Sequence, residues 1–183
     1  MDDIKLHLGC GNKRFEGWLN IDLLEGSAAD IIDDVTKLSK ISKNSIQEIY
    51  ACHVLEHISR DQLIPTLKLW NSKLISGGEI KIAVPDFESI CKVYTKNKSI
   101  LEIIGLVSGG REGPLDEHKI IFDFEYLKKC LQEAGFVGIK KYDWRKTDHA
   151  HIDDYSQAYL PHMKKESGML MSLNVVAYKG KIL

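Results

Sequence analysis

Short apolar runs separated by polar turns recur along the chain, and their internal spacing switches between strict alternation and a helical period. Residues 4–8, 19–21, 30–32, 48–52, 79–84, 137–143 and 171–178 read as strands. Residues 60–74, 87–96 and 124–134 read as helices, with apolar positions three and four apart. Ile90, Val93 and Tyr94 mark the inner face of the second helix, and Tyr126, Leu127, Cys130, Leu131 and Ala134 that of the third. Gly77-Gly78 and Gly135 are placed to stop helices, and Asp123 to cap one. Strand and helix alternate and two strands come late. This predicts an α/β fold with a Rossmann-like, seven-stranded, mostly parallel sheet, helices on both faces and the last strand antiparallel. Between Asp22 and Ile49 there is room for a strand but for no long helix, so the crossovers there should be short turns. The whole chain, residues 1–183, reads as one domain without repeats or low-complexity tracts.

Composition narrows the partners. Of the residues, 44% are hydrophobic and 28% charged, and the formal net charge of −1 leaves no electrostatic footprint for nucleic acid. Cys10, Cys52, Cys91 and Cys130 never form a Cys-x-x-Cys, which suits reduced thiols in a cytoplasm better than a disulfide frame or zinc ribbon. Met1-Asp2-Asp3 is acidic, and the apolar stretch after it is too short for a signal peptide or membrane span. A cytoplasmic protein with no membrane span is expected.

Residues 5–22 carry the densest chemistry. A strand runs into Gly9-Cys10-Gly11, where missing Cβ atoms let the backbone approach a ligand, and the next strand ends on Asp22. A carboxylate there can accept hydrogen bonds from both hydroxyls of a ribose. The dinucleotide pattern Gly-x-Gly-x-x-Gly fails at Arg14, and too few residues follow for the helix that would hold a pyrophosphate. A phosphate-binding loop with its lysine is also lacking. A cofactor with a ribose and no phosphates fits best, and S-adenosylmethionine is the common one.

With these residues the chain resembles class I S-adenosylmethionine-dependent methyltransferases, of the small type often associated with polysaccharide biosynthesis. The resemblance spans Leu6 to about Lys179. It rests on Leu8-Gly9-Cys10-Gly11, Asp22, Asp34-Val35, the segment from Ala51 to His57, Gly77-Gly78 with the strand after it, and Leu131 to Phe136. It implies that Gly9, Cys10, Gly11, Asp22, Leu23, Asp34, Val35 and His53 bind the cofactor, whose product is S-adenosylhomocysteine. Asp34 and the Val35 amide would meet adenine, leaving Asp33 exposed or capping the turn toward Lys37. The missing helix between the first two strands is the departure from the family pattern.

Other polar clusters suggest where an acceptor sits. His53-Val54-Leu55-Glu56-His57 has histidines four apart, yet no third metal ligand is close in sequence, so no metal is expected there. Glu56 and His57 read as loop-holding residues. His149 to Asp154 is a second such patch and is read as solvated. Connections after the fifth and sixth strands, near 85–123 and 145–170, leave the sheet at the cofactor edge and are expected to form lid and acceptor segments. Asp86, His118, Tyr155, Tyr159 and His162 are the candidate acceptor-binding residues, and His53 and His118 the candidate catalytic bases. The expected activity is transfer of a methyl group to oxygen or nitrogen of a small-molecule or glycan acceptor. The alternatives are a non-catalytic partner subunit of the same fold and a nicotinamide-dependent oxidoreductase, the latter disfavoured by Arg14.

Overall fold

A computed structural model describes residues 4–110, 113–162 and 164–180. Arg111 and Glu112, in the expected lid connection after the fifth strand, and Met1-Asp2-Asp3 lie outside the described residues. In chain order the strands are β1 (Lys5–Leu8), β2 (Leu19–Asp22), β3 (Ile31–Ile32), β4 (Ile46–Cys52) and β5 (Leu74–Pro85), then β6 (Phe136–Lys141), β7 (Tyr159–Leu160), β8 (Met169–Leu170) and β9 (Ser172–Lys179). The helices are α1 (Arg60–Lys73), α2 (Phe87–Asn97), α3 (Ile104–Ser108) and α4 (Phe124–Glu133). Seven strands form one sheet in the order β3-β2-β1-β4-β5-β9-β6, and β7 and β8 make a separate small hairpin. β9 runs antiparallel between β5 and β6, while β1 to β5 pair in parallel. This is the Rossmann-like, mostly parallel sheet that the pattern predicts, flanked by helices; α1 and α4 pack on one face, where helices on both were expected.

The expected boundaries shift at one informative place. β5 begins at Leu74, directly after α1, so Gly77 and Gly78 lie inside the strand and do not end the helix. The pairing of β4 with β5 slips between Ile46 and Glu48, and Gly77 absorbs the irregularity at φ +78°. A side chain on Gly78 would press on the carbonyls of Gln47 and Ile75, each 3.1 Å from its Cβ position. Glycine serves here as a bulge residue. Asp123 does cap α4, accepting from the Tyr126 amide, and Gly135 follows its last turn at φ +87°.

The two faces of the sheet are covered differently. Leu6, Leu8, Ile49, Ala51, Ile80, Ile82, Val175 and Ala177 join Leu63, Leu67 and Trp70 of α1 and Leu127 and Leu131 of α4 in the main core. Residues one step along each strand turn the other way, and they include His7, Tyr50 and Asn174. That face is covered by loops and short 3-10 turns. Phe15, 1% exposed, stacks on His7 at 3.9 Å, and His149 stacks on Phe15 at 4.6 Å and lies 4.2 Å from Tyr50. Burying a ring like Phe15 contributes roughly 1.5–3 kcal/mol. The Tyr50 hydroxyl donates to Asp154 at 2.6 Å, and Asn174 donates to the Ser156 carbonyl, which pins the segment after β6 onto the sheet. The short loop between β1 and β2 thus fills, with one aromatic plug, the place of a crossover helix.

A second apolar cluster lies beyond the carboxyl edge of the sheet. Ile90 and Val93 of α2, Ile103 and Met171 are buried together, with Ala158 and Leu160 packed against them. The connections after β5 and after β6 therefore pack on one another. Among the described residues, no helix is long and apolar enough to cross a membrane.

Candidate active site

β1 and β2 are adjacent and parallel, so the turn after β1 and the acid at the end of β2 meet at one edge. Gly9 and Gly11 take φ +64° and +51° and fold the chain back so that the Gly9 and Cys10 amides donate to the Ile21 carbonyl. The Asp22 carboxylate is 8% exposed. It accepts from the Gly11 amide at 2.7 Å through Oδ2 and from the Leu24 amide at 2.9 Å through Oδ1. Two backbone donors orient it and still leave each oxygen a lone pair. Cys10 is buried, and burial together with the Asp22 charge pushes its thiol up to about 11, so it is a neutral packing group. Leu23 projects beside Asp22 and is exposed.

Residues between the glycines and Asp22 hold this turn without a helix. The Asn20 side chain accepts from the Phe15 amide and donates to the carbonyls of Phe15 and Trp18 and to Asp30. Arg14, which replaces the third glycine, pairs with Asp30 at 2.6 Å. The amide and side chain of Asn20, followed by Arg14, hold the Asp30 carboxyl down at about 2. In the sequence Arg14 shows only as a break in the glycine pattern, and nothing there marks its partner Asp30 or the organising Asn20. Their spacing carries no motif.

At the end of β3 the contact with Lys37 falls to the other of the two acids. Asp34 is the one that faces Lys37, at 3.0 Å, and it also accepts from the Thr36 amide and hydroxyl. Asp33 instead accepts from Ser39 and from the Lys40 amide. The turn expected of Asp33 is therefore made by Asp34, whose position two residues before Thr36 gives the tighter ring. Val35 is half-buried, and its carbonyl accepts from the Trp70 indole.

The end of β4 holds the histidines. His53 has φ +54°, a strained backbone for a residue with a side chain, at the point where the chain leaves the sheet. Its Nδ1 lies 3.0 Å from Oε1 of the wholly buried Glu56. Burial drives the Glu56 carboxyl up, but the attraction of His53 and then His57 outweighs it, so the group is held below its ordinary range. The segment after α3 is tied here because the Lys119 and Ile120 amides both donate to the Glu56 carbonyl. His118 thereby arrives against His57, with ring centroids 4.9 Å apart. Burial pushes His118 down, so its ring is neutral near pH 7.

The structure divides the acceptor candidates. Tyr155 is 68% exposed and its ring lies 5.0 Å from His53. Tyr159 is buried, and its hydroxyl accepts from Arg145 at 2.9 Å, which makes it part of the packed segment and not of an open pocket wall. His162 is exposed on the turn joining β7 to β8. Asp86 caps α2, accepts from the Ser89 hydroxyl at 2.8 Å, and lines a cleft of about 280 Å³ with Tyr142, Ser172 and Asn174. His149, read from sequence as solvated, is 5% exposed inside the aromatic stack. His53, His118 and Tyr155 are thus gathered near the carboxyl edge of the sheet, whereas Tyr159 is buried in the packed segment.

An open α/β sheet in this strand order, with a glycine turn and a capped acid at its carboxyl edge, is the fold of class I methyltransferases. No family model matches the chain, and no curated protein matches it. Solved structures do. A methyltransferase of Archaeoglobus fulgidus, S-adenosylmethionine-dependent, aligns with TM-score 0.61 at 19% identity over 96% of this chain and 85% of its own. A Thermotoga maritima S-adenosylmethionine-dependent methyltransferase, named as a possible histamine N-methyltransferase, gives 0.64 at 15% identity over 98% and 83%. The Burkholderia thailandensis 1,6-didemethyltoxoflavin N1-methyltransferase, solved with bound 1,6-didemethyltoxoflavin and S-adenosylhomocysteine, gives 0.60 at 15% identity over 97% and 71%.

Proposed function

We propose that this chain is an S-adenosylmethionine-dependent methyltransferase acting, in the cytoplasm, on an oxygen or nitrogen of a small-molecule or glycan acceptor. The observation that carries the reading is the Asp22 carboxylate, fixed by the Gly11 and Leu24 amides at the mouth of the glycine turn. Its unused lone pairs suit two ribose hydroxyls, and the exposed Leu23 offers an apolar surface to adenine, with Asp34 and Val35 at the end of the neighbouring strand. The bound cofactor supplies an electrophilic methyl on a sulfonium that leaves readily. The chain's task is to hold the nucleophile in line and keep water out, and such orientation is worth up to roughly 7–11 kcal/mol. In this reading His53 or His118 takes the proton of a hydroxyl, and the exposed Tyr155 ring beside His53 supports a sugar or planar acceptor. A nicotinamide dinucleotide is disfavoured, because the ion pair of Arg14 with Asp30 occupies the place of the helix that would receive a pyrophosphate.

The test is ligand-induced stabilisation. S-adenosylhomocysteine at a hundredfold excess over its dissociation constant should stabilise by about 2.7 kcal/mol, whereas NAD should not. Asp22→Ala should remove most of that gain. Absence of a thermal shift in wild type at millimolar S-adenosylhomocysteine, or a shift with NAD alone, overturns the proposal.

A further inference from the structure

The chain contains a buried carboxylate that its hydrogen bonds do not account for. Glu56 is 0% exposed, and among the described residues neither of its carboxylate oxygens has a hydrogen-bond partner. His53 Nδ1 stands 3.0 Å from Oε1 as an ion-pair contact, and Oε2 faces no such partner. A buried carboxylate oxygen without a hydrogen-bond partner is costly, and a bound cation would add to the attraction that His53 and His57 already supply. Glu56, His57 and His118 each offer a ligand atom, and these three atoms lie within 4.8 Å of one another.

The histidines are also prepared in a particular way. His57 Nδ1 meets the Glu117 carbonyl at 3.2 Å, and His118 Nδ1 meets the Leu106 carbonyl at 3.1 Å. A carbonyl only accepts, so each Nδ1 carries the proton and each Nε2 keeps a lone pair. Metal-binding histidines are commonly fixed in this way, with one ring nitrogen donating to a carbonyl and the other free to coordinate. The backbone adds to the arrangement, since the Glu56 carbonyl receives the amides of Lys119 and Ile120 and so anchors the strand of chain that delivers His118.

We propose that Glu56, His57 and His118 bind one divalent first-row metal ion at the edge of the methyl-transfer site. Two imidazoles and one carboxylate favour such an ion over magnesium or calcium, which prefer oxygen ligands, and leave coordination positions open. The site adjoins the glycine turn, because Val54, two residues before Glu56, packs directly against Gly9. Resting on the methyltransferase reading, the proposal changes how the acceptor is activated. A hydroxyl coordinated to the ion loses its proton to water, and the resulting oxygen forms the new bond to the methyl carbon. The carbon–sulfur bond breaks, and its electron pair stays on sulfur, giving S-adenosylhomocysteine. The expectation of no metal rested on the lack of a third ligand nearby in sequence, and the fold supplies one in His118.

Titration with Mn²⁺, followed by loss of the free-ion electron paramagnetic resonance signal, tests the site in the full chain. Wild type should bind one equivalent, and His118→Ala and Glu56→Gln should each weaken binding at least tenfold. S-adenosylhomocysteine affinity, measured separately, should stay within about twofold in both variants. No stoichiometric binding by wild type, or binding that both variants retain, overturns the metal proposal. If a variant does not fold, the wild-type stoichiometry and the other variant decide. Loss of S-adenosylhomocysteine binding in wild type would instead sink the methyltransferase reading, so the two failures are distinguishable.

Discussion

Gly9 and Gly11 look interchangeable in sequence, yet the structure requires glycine at them for different reasons, and alanine at each should separate the two. At both positions φ is positive, +64° and +51°. Forcing an L-residue into that region costs roughly 1–2 kcal/mol. At Gly11 nothing lies within 4 Å of the added Cβ, so strain is the whole cost. At Gly9 the Cβ would sit far inside contact distance of Val54 Cγ2, on a stiff β-branched side chain only 8% exposed in the main core. Overpacking of that kind costs a further amount of about 1–3 kcal/mol. Gly9→Ala should therefore destabilise by about 2–5 kcal/mol, against about 1–2 kcal/mol for Gly11→Ala. Urea denaturation without ligand measures both. In a Val54→Ala background the Gly9→Ala cost should fall to the strain alone, giving a coupling of about 1–3 kcal/mol in the double-mutant cycle. Equal costs for the two glycines, or additivity with Val54→Ala, would refute the steric account of this turn.

Three further outcomes follow from the buried and exposed rings. Burial pushes His149 down to about 4, only partly opposed by Asp154 and Glu48. The unfolded chain takes up this proton below about pH 6.5 and the native one does not until about pH 4. Stability from this group is thus complete above pH 6.5 and lost as pH falls toward 4, by about 3 kcal/mol in all. His149→Phe should flatten the pH dependence of the unfolding free energy across that window, and an unchanged slope would contradict it. At the other end, Tyr155→Ala should weaken acceptor turnover while leaving the melting temperature near wild type, because the ring is exposed. Tyr159→Phe should instead lower the melting temperature, because its hydroxyl accepts from both Arg145 and the buried Trp144 indole. The reverse pattern would show that the rim and scaffold roles assigned here are exchanged.

Much of this protein is written in its local pattern. Alternation along β1, β4, β5 and β9 determines which residues face α1 and α4, because a strand can bury one face only by placing apolar side chains at every second position. The pairing of the glycine turn with Asp22 is equally local, since they end two adjacent parallel strands joined by one short loop. Other features depend on contacts between distant segments, which no spacing encodes. Gly77 and Gly78 resemble a helix stop until the slipped pairing with β4 shows them to be a bulge. His149 resembles a solvated residue until Phe15 and Tyr50 enclose it. Tyr155 and Tyr159 look alike in sequence, and only the packing after β6 exposes one and buries the other. The tertiary structure alone brings His118 to Glu56 and His57, because two backbone amides far along the chain find the Glu56 carbonyl.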